Sequence, residues 1–231
     1  MNVYLVLLIG IGILGWIVQL NLNNKFKKYS KMPLTNGMTG RDVAERMLRE
    51  NGITEVTVRS TGGTLTDHYN PSDKTINLSE SVYASDSVAA AAVAAHETGH
   101  AIQHACAYAP LKMRSALVPV VSFSGQWVTW LILGGMILLG AGQVFFGQIV
   151  AVVGIVLYGM ITLFTFITLP VEINASQRAL AWLSNTGITN SYNDGAARDA
   201  LRSAAYTYVV SALGALANLL YYVWLFFGRR N

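Results

Sequence analysis

Residues 144–169 read VFFGQIVAVVGIVLYGMITLFTFITL, a run without one charged side chain. As a helix at 1.5 Å per residue it reaches about 39 Å, more than the roughly 30 Å of a bilayer's hydrocarbon core. Three further stretches behave the same way: 3–20 (VYLVLLIGIGILGWIVQL), 116–141 with Trp127 and Trp130, and the tyrosine-rich 205–227. Their frequent glycines suit close helix packing in lipid. Over the whole chain of 231 residues, 53% are hydrophobic and only 12% charged. A soluble domain carries about 25% charged residues. That excludes an ordinary soluble protein, and disorder as well, which needs low hydrophobicity and high charge.

The second and third stretches are separated only by a short link near Gly142 and Gln143, so they should form an antiparallel hairpin. The first has no preceding Lys or Arg, and NLNNKFKKYSK after it resembles no cleavage site, so it reads as an uncleaved anchor. Four spans place residues 21–115 and 170–204 on one side. Lys25, Lys27, Lys28, Lys31, Lys112, Arg114, Arg178, Arg198 and Arg202 lie in or beside those segments. The positive-inside rule then puts both in the cytoplasm. Arg229 and Arg230 fall on the opposite side, an objection that disappears if the last apolar segment is re-entrant or does not span. The net charge of +4 is explained by topology and anionic headgroups rather than by nucleic acid. Cys106 is the single cysteine and excludes an intramolecular disulfide.

Within 21–115, TGRDVAERMLREN (39–51) reads as an amphipathic helix with Thr39 as N-cap, Asp42 three residues on, and Gly52 as the stop. EVTVR (55–59) and TINL (75–78) have strand composition, with a further short strand and an Asn70–Pro71–Ser72–Asp73 turn between them. An alanine-rich helix follows, capped by Ser85 or Asp86 and running to about Ala107.

That helix contains His96-Glu97-Thr98-Gly99-His100, the pattern H-E-x-x-H. At i and i+4 the two imidazoles lie about 40° apart on one helical face and can chelate one ion. Imidazole suits Zn²⁺. Glu97 is turned about 100° from His96, placed to flank the metal and act as general base toward a zinc-activated water. Two histidines and a glutamate in a helix of small apolar residues need such a reason.

A catalytic zinc needs a third protein ligand. The arrangement H-E-x-x-H-x-x-G-x-x-H fails, because Gln103 and Cys106 stand at its Gly and His positions. Cys106 reads better as a small buried thiol, and His104 as a polar residue at a helix end. Between Glu97 and Asp194 the one carboxylate is Glu172, just after the third span and Pro170, which suits the start of a new helix or a kink. Glu172 is the favoured third ligand; the alternative is an ordinary carboxylate stabilised by a helix N-terminus.

These residues carry a resemblance. Asp67-His68-Tyr69-Asn70-Pro71 with Ile76-Asn77-Leu78-Ser79, the HETGHA of 96–101, and Leu169-Pro170-Val171-Glu172 running into Ala175-Ser176 and Arg178-Ala179-Leu180 resemble the bacterial YugP-type family of neutral zinc metallopeptidases over nearly the whole chain. More distantly the chain is similar to membrane gluzincins of the heat-shock HtpX and CAAX prenyl protease type, through HExxH and Glu-x-x-Ala alone. Those relatives have Asp four residues after the ligand Glu, where this chain has Ser176. The resemblance implies a zinc-dependent endopeptidase at a membrane, with His96, His100 and Glu172 as ligands of one Zn²⁺ and Glu97 as base. Ser176 is then a candidate for orienting a ligand histidine. Tyr192, His68, Tyr69 and Arg178 are candidates for stabilising an oxyanion. By analogy, residues 75–78 form an edge strand that pairs with a substrate backbone.

The expected fold is a mainly α integral membrane protein with about four transmembrane helices and a small α+β, zincin-like cytoplasmic portion. Its divisions are an anchor (1–22), a segment with the HExxH helix (23–115), a transmembrane hairpin (116–169), a helical segment with the third ligand (170–204) and a last transmembrane helix (205–231). Expected partners are the lipid bilayer and membrane-protein or juxtamembrane peptide substrates; oligomerisation is left open. The rival reading is a non-catalytic zinc-binding membrane scaffold. A channel or zinc transporter would need ionisable groups within the spans, and all four His and all twelve acidic residues lie outside them.

Overall fold

The computed structural model describes residues 3–228. Arg229 and Arg230 lie outside the described residues. Seven helices and three strands follow in the order α1 (Val3–Tyr29), α2 (Gly40–Glu50), β1 (Thr57–Thr61), β2 (His68–Asn70), β3 (Thr75–Ser79), α3 (Glu80–Tyr83), α4 (Val88–Ala105), α5 (Ala109–Gly140), α6 (Val144–Asn185) and α7 (Asp194–Phe227). Among the described residues, four helices are long and apolar enough to cross a membrane: α1, α5, α6 and α7. The fold is mostly helical with one small mixed sheet.

The chain divides into two units. The first comprises 1–15, 113–169 and 208–231. Its centre is the α5–α6 hairpin, turned over residues 141–143, where Gly142 takes φ +79° in the left-handed region that a side chain disfavours. Small residues bring these helices together. A Cβ on Gly135 would stand 3.0 Å from that of Ala151, and one on Gly154 3.0 Å from Ile132 Cδ1. The outward faces keep large apolar side chains exposed, among them Trp130, Phe145 and Ile137, as lipid-facing helices require.

The second unit comprises 16–112 and 170–207. Its α2 carries the capping box that Thr39 and Asp42 promise: Thr39 Oγ1 accepts from the Asp42 amide and the Asp42 side chain accepts from the Thr39 amide. The apolar face Val43, Ala44, Met47 and Leu48 is buried, and α2 packs on α4. The alanines of α4, Ile76 and Leu78 of β3, and Leu183, Ile188, Ala197 and Leu201 complete one core. The small alanine side chains let α4 lie at its centre.

Several boundaries differ from the sequence reading. The cap of α4 is Ser87, whose Oγ accepts from the Ala90 amide, rather than Ser85 or Asp86; Ser85 instead donates to Ser87 Oγ. The first strand starts two residues later than EVTVR suggests. The strand at 75–79 is not an edge. The sheet order is β1-β3-β2, with β1 parallel and β2 antiparallel to β3. Both hydrogen-bonding sides of β3 are taken, and the free edges belong to β1 and β2. Pro170 does not start a helix: α6 continues through it. Its missing N–H takes one bond from the ladder.

Candidate metal centre

Three elements of the second unit build the site: α4 supplies His96, Glu97 and His100, α6 supplies Glu172 and Ser176, and β2 supplies a backbone amide. The two helices meet closely because of the glycine inside the HExxH run. A Cβ on Gly99 would lie 2.8 Å from the Ala175 carbonyl oxygen and 3.2 Å from its Cα. Only a residue without a side chain lets α4 come this near to α6 at this level.

That crossing sets His96 and His100 against Glu172. His96 Nε2 lies 3.2 Å and His100 Nε2 3.5 Å from Glu172 Oε2. Among the described residues these three form the group able to hold a metal ion, with donor atoms all within 4.8 Å of one another. Donors on a tetrahedral zinc at 2.0–2.1 Å stand about 3.3 Å apart, so the donor set and its spacing fit. Glu172 is 3% exposed, where a lone carboxylate is costly.

The tautomer of His100 can be read from its neighbours. Its Nδ1 lies 3.0 Å from Gln103 Oε1, a pure acceptor, so Nδ1 carries the proton and Nε2 turns a lone pair toward Glu172. Two electron-rich atoms 3.5 Å apart call for a cation between them, a proton or a metal. Burial pulls the His100 imidazole down, but its bond to Glu172, the charges of Glu97 and Glu172, and the Gln103 contact outweigh this and leave it above its ordinary value. His96 is held from behind by Ser176, whose Oγ is 3.1 Å from Nδ1.

Glu97 is buried and stands outside the donor group. Its Oε2 accepts from the Tyr69 backbone N–H at 3.0 Å. Tyr69 is the middle residue of β2, so the free edge of the sheet grips this carboxylate. Asp67 lies nearby and accepts from the Ser79 amide at 2.7 Å. Burial raises its carboxyl above the usual range; the bonds from Ser79 oppose this and the Glu97 charge adds to it.

The remaining candidate side chains have partners outside the donor group. Tyr192 is 85% exposed in the α6–α7 loop, its amide bonded to Asn190. His68 bonds the Thr66 carbonyl and Asn77. Arg178 donates through Nε to Asn174 Oδ1. The Tyr69 hydroxyl meets His104 Nδ1 at 2.7 Å on the exposed end of α4. Cys106 is exposed at the C-cap of α4 and not the buried thiol its type suggests, because the helix ends there and the chain turns outward. The sequence reading missed Gln103 as a partner of His100, although its i+3 spacing was a usable signal. It also missed the Tyr69 amide, for which a side-chain pattern carries no signal.

The family described as "Putative neutral zinc metallopeptidase" matches residues 4–227. The chain belongs to this family. It is also 38% identical over 221 residues, 96% of this chain and 95% of the relative, to the "Putative membrane protease YugP" of Bacillus subtilis (strain 168). No solved structure matches it. A zinc peptidase family and a membrane protease relative agree in kind with two histidines, a carboxylate and four apolar helices.

Proposed function

We propose that the chain is a membrane-embedded, zinc-dependent endopeptidase in which His96, His100 and Glu172 hold one Zn²⁺ and Glu97 is the general base. The observation that carries this is the donor triangle itself: Nε2 atoms 3.2 and 3.5 Å from one carboxylate oxygen, with a second buried carboxylate beside them. Zinc held there supplies Lewis acidity toward a peptide carbonyl and brings the pKa of water down to about 7. The chain's own residues do the rest. The Tyr69 amide holds Glu97 through Oε2, leaving Oε1 to take the proton of the attacking water and hand it to the leaving amine nitrogen. Ser176 and Gln103 hold the backs of the two imidazoles.

Substrates in this reading are membrane proteins or their juxtamembrane segments, since Glu172 stands on the same helix as the apolar run 144–169. The basic residues flanking the spans support a cytoplasmic-membrane location, with segments 23–115 and 170–204 and the site on the cytoplasmic side. The test is metal analysis of the purified chain with a proteolysis assay on membrane-protein substrates, comparing wild type with Glu97→Gln. Wild type should carry one zinc and cleave; the variant should keep the zinc and lose cleavage. Equal cleavage by both would overturn the assignment of the base.

A further inference from the structure

Gln103 is a polar residue at 0% exposure in the middle of the second unit, and the reaction as proposed does not use it directly. Its amide has three partners. Oε1 accepts from His100 Nδ1, while Nε2 donates to the Val171 carbonyl at 2.8 Å and to Asn174 Oδ1 at 3.1 Å. The orientation is forced, because a flipped amide would set its oxygen against two other oxygens. Asn174 is itself fixed by Arg178 Nε at 2.8 Å. Val171 is the residue before Glu172. One side chain thus touches the ring of one candidate ligand and the backbone adjoining another.

We propose that Gln103 is a positioning residue that keeps His100 in the Nδ1–H tautomer and ties that ligand to the helix carrying Glu172. This rests on the reading that His96, His100 and Glu172 hold zinc. The physical argument concerns what His100 would do without it. With Nδ1 unbonded in a buried site, the imidazole gains by moving its proton to Nε2 and donating to Glu172 Oε2, 3.5 Å away. That hydrogen bond occupies both metal donors at once. Gln103 removes the option by making Nδ1 the better place for the proton. A partner behind a ligand histidine of this kind is typically worth 10–100-fold in metal affinity.

The experiment measures zinc affinity by chelator competition on the purified full-length chain in detergent, for wild type, Gln103→Met, Gln103→Glu and Glu172→Ala, with the fold of each zinc-free protein followed by far-UV circular dichroism. Methionine keeps the volume and removes all three hydrogen bonds, and should weaken zinc binding about 10–100-fold. Glutamate still accepts from His100 Nδ1–H but loses the two bonds to Val171 and Asn174, so it should bind zinc more weakly than wild type and clearly more tightly than the methionine variant. If Gln103→Met is poorly folded, Gln103→Asn, too short to reach His100, takes its place with the same expected loss. Unchanged affinity in Gln103→Met, or equal losses in the methionine and glutamate variants, would overturn the proposal. Failure of the underlying site is seen separately, as a wild type that binds no zinc or a Glu172→Ala variant that keeps it.

Discussion

The polar groups around the histidines do something different from the buried hydroxyls of the apolar unit. In the apolar unit, Ser124 donates to the Val120 carbonyl at 2.7 Å and Thr168 to Phe164 at 2.8 Å, each to the turn before it on its own helix. In the unit with the histidines, Gln103 reaches Val171, Ser176 reaches His96, and the Tyr69 amide reaches Glu97, across 68, 80 and 28 residues of chain. A hydroxyl bonded to its own helix is satisfied wherever that helix goes, so it constrains little. A bond between elements holds only if the elements stay in place, so it fixes geometry. Side-chain identity should therefore matter for chemistry in one unit and hardly at all in the other.

The strongest break of that contrast is in the donor triangle. Glu97→Gln should lower kcat/KM on a membrane-protein substrate by at least about 100-fold with zinc content unchanged. Glu172→Ala should lose stoichiometric zinc in metal analysis, while His104→Ala, whose ring faces the Tyr69 hydroxyl on the exposed end of α4, should keep it. A His104→Ala protein without zinc would require redrawing the site.

Next in size is the helix crossing. Gly99→Ala favours α4 by roughly 1 kcal/mol of helix propensity, yet its methyl meets the Ala175 carbonyl at 2.8 Å. The helices must part by tenths of an ångström, and Glu172 moves with α6. We expect zinc affinity to fall by an order of magnitude or more while helix content is kept; chelator competition and circular dichroism read the two separately. In the apolar unit the matching change is Ser124→Ala, whose hydroxyl bonds only its own helix, and it should leave zinc binding and cleavage within about twofold of wild type.

The same contrast marks what could be read from the chain. The four apolar helices are legible because absence of charge over a bilayer's thickness is a one-dimensional property. The capping box of α2 and the pairing of His96 with His100 are local, within four residues, and are legible for that reason. Glu172 stands out because it is the one carboxylate between Glu97 and Asp194. Strand order is not local. Nothing in His68–Asn70 announces that this three-residue strand, and not 75–79, provides a free edge beside Glu97. Pro170 argues for a break by the chemistry of its own ring, and the surroundings of α6 override it. Gln103 looks like a failed position of another motif until α6 brings Val171 and Asn174 to its amide.

A change in stability alone is expected in the second unit's core, where the capping box of α2 can be removed without removing any group of the site. Thr39→Ala takes away the hydroxyl that accepts from the Asp42 amide and should lower stability by about 1 kcal/mol. The same pair gives a pH signature. In the folded chain the hydroxyl of Thr39, and then its amide, bond the Asp42 carboxylate and hold its carboxyl below the ordinary value, against a smaller opposing effect of burial. A depressed folded value means that the stabilisation is present above the unfolded pKa of about 3.9 and is lost as pH falls from there through the folded value. Wild type should therefore lose slightly more stability than Thr39→Ala between pH 5 and the acid limit, so the two unfolding curves converge on acidification. Zinc affinity of Thr39→Ala at neutral pH should equal that of wild type, because α2 contributes apolar packing to α4 and no group to the donor triangle. A loss of zinc in this variant would mean that the site depends on the stability of the whole unit and not on the cross-element bonds alone.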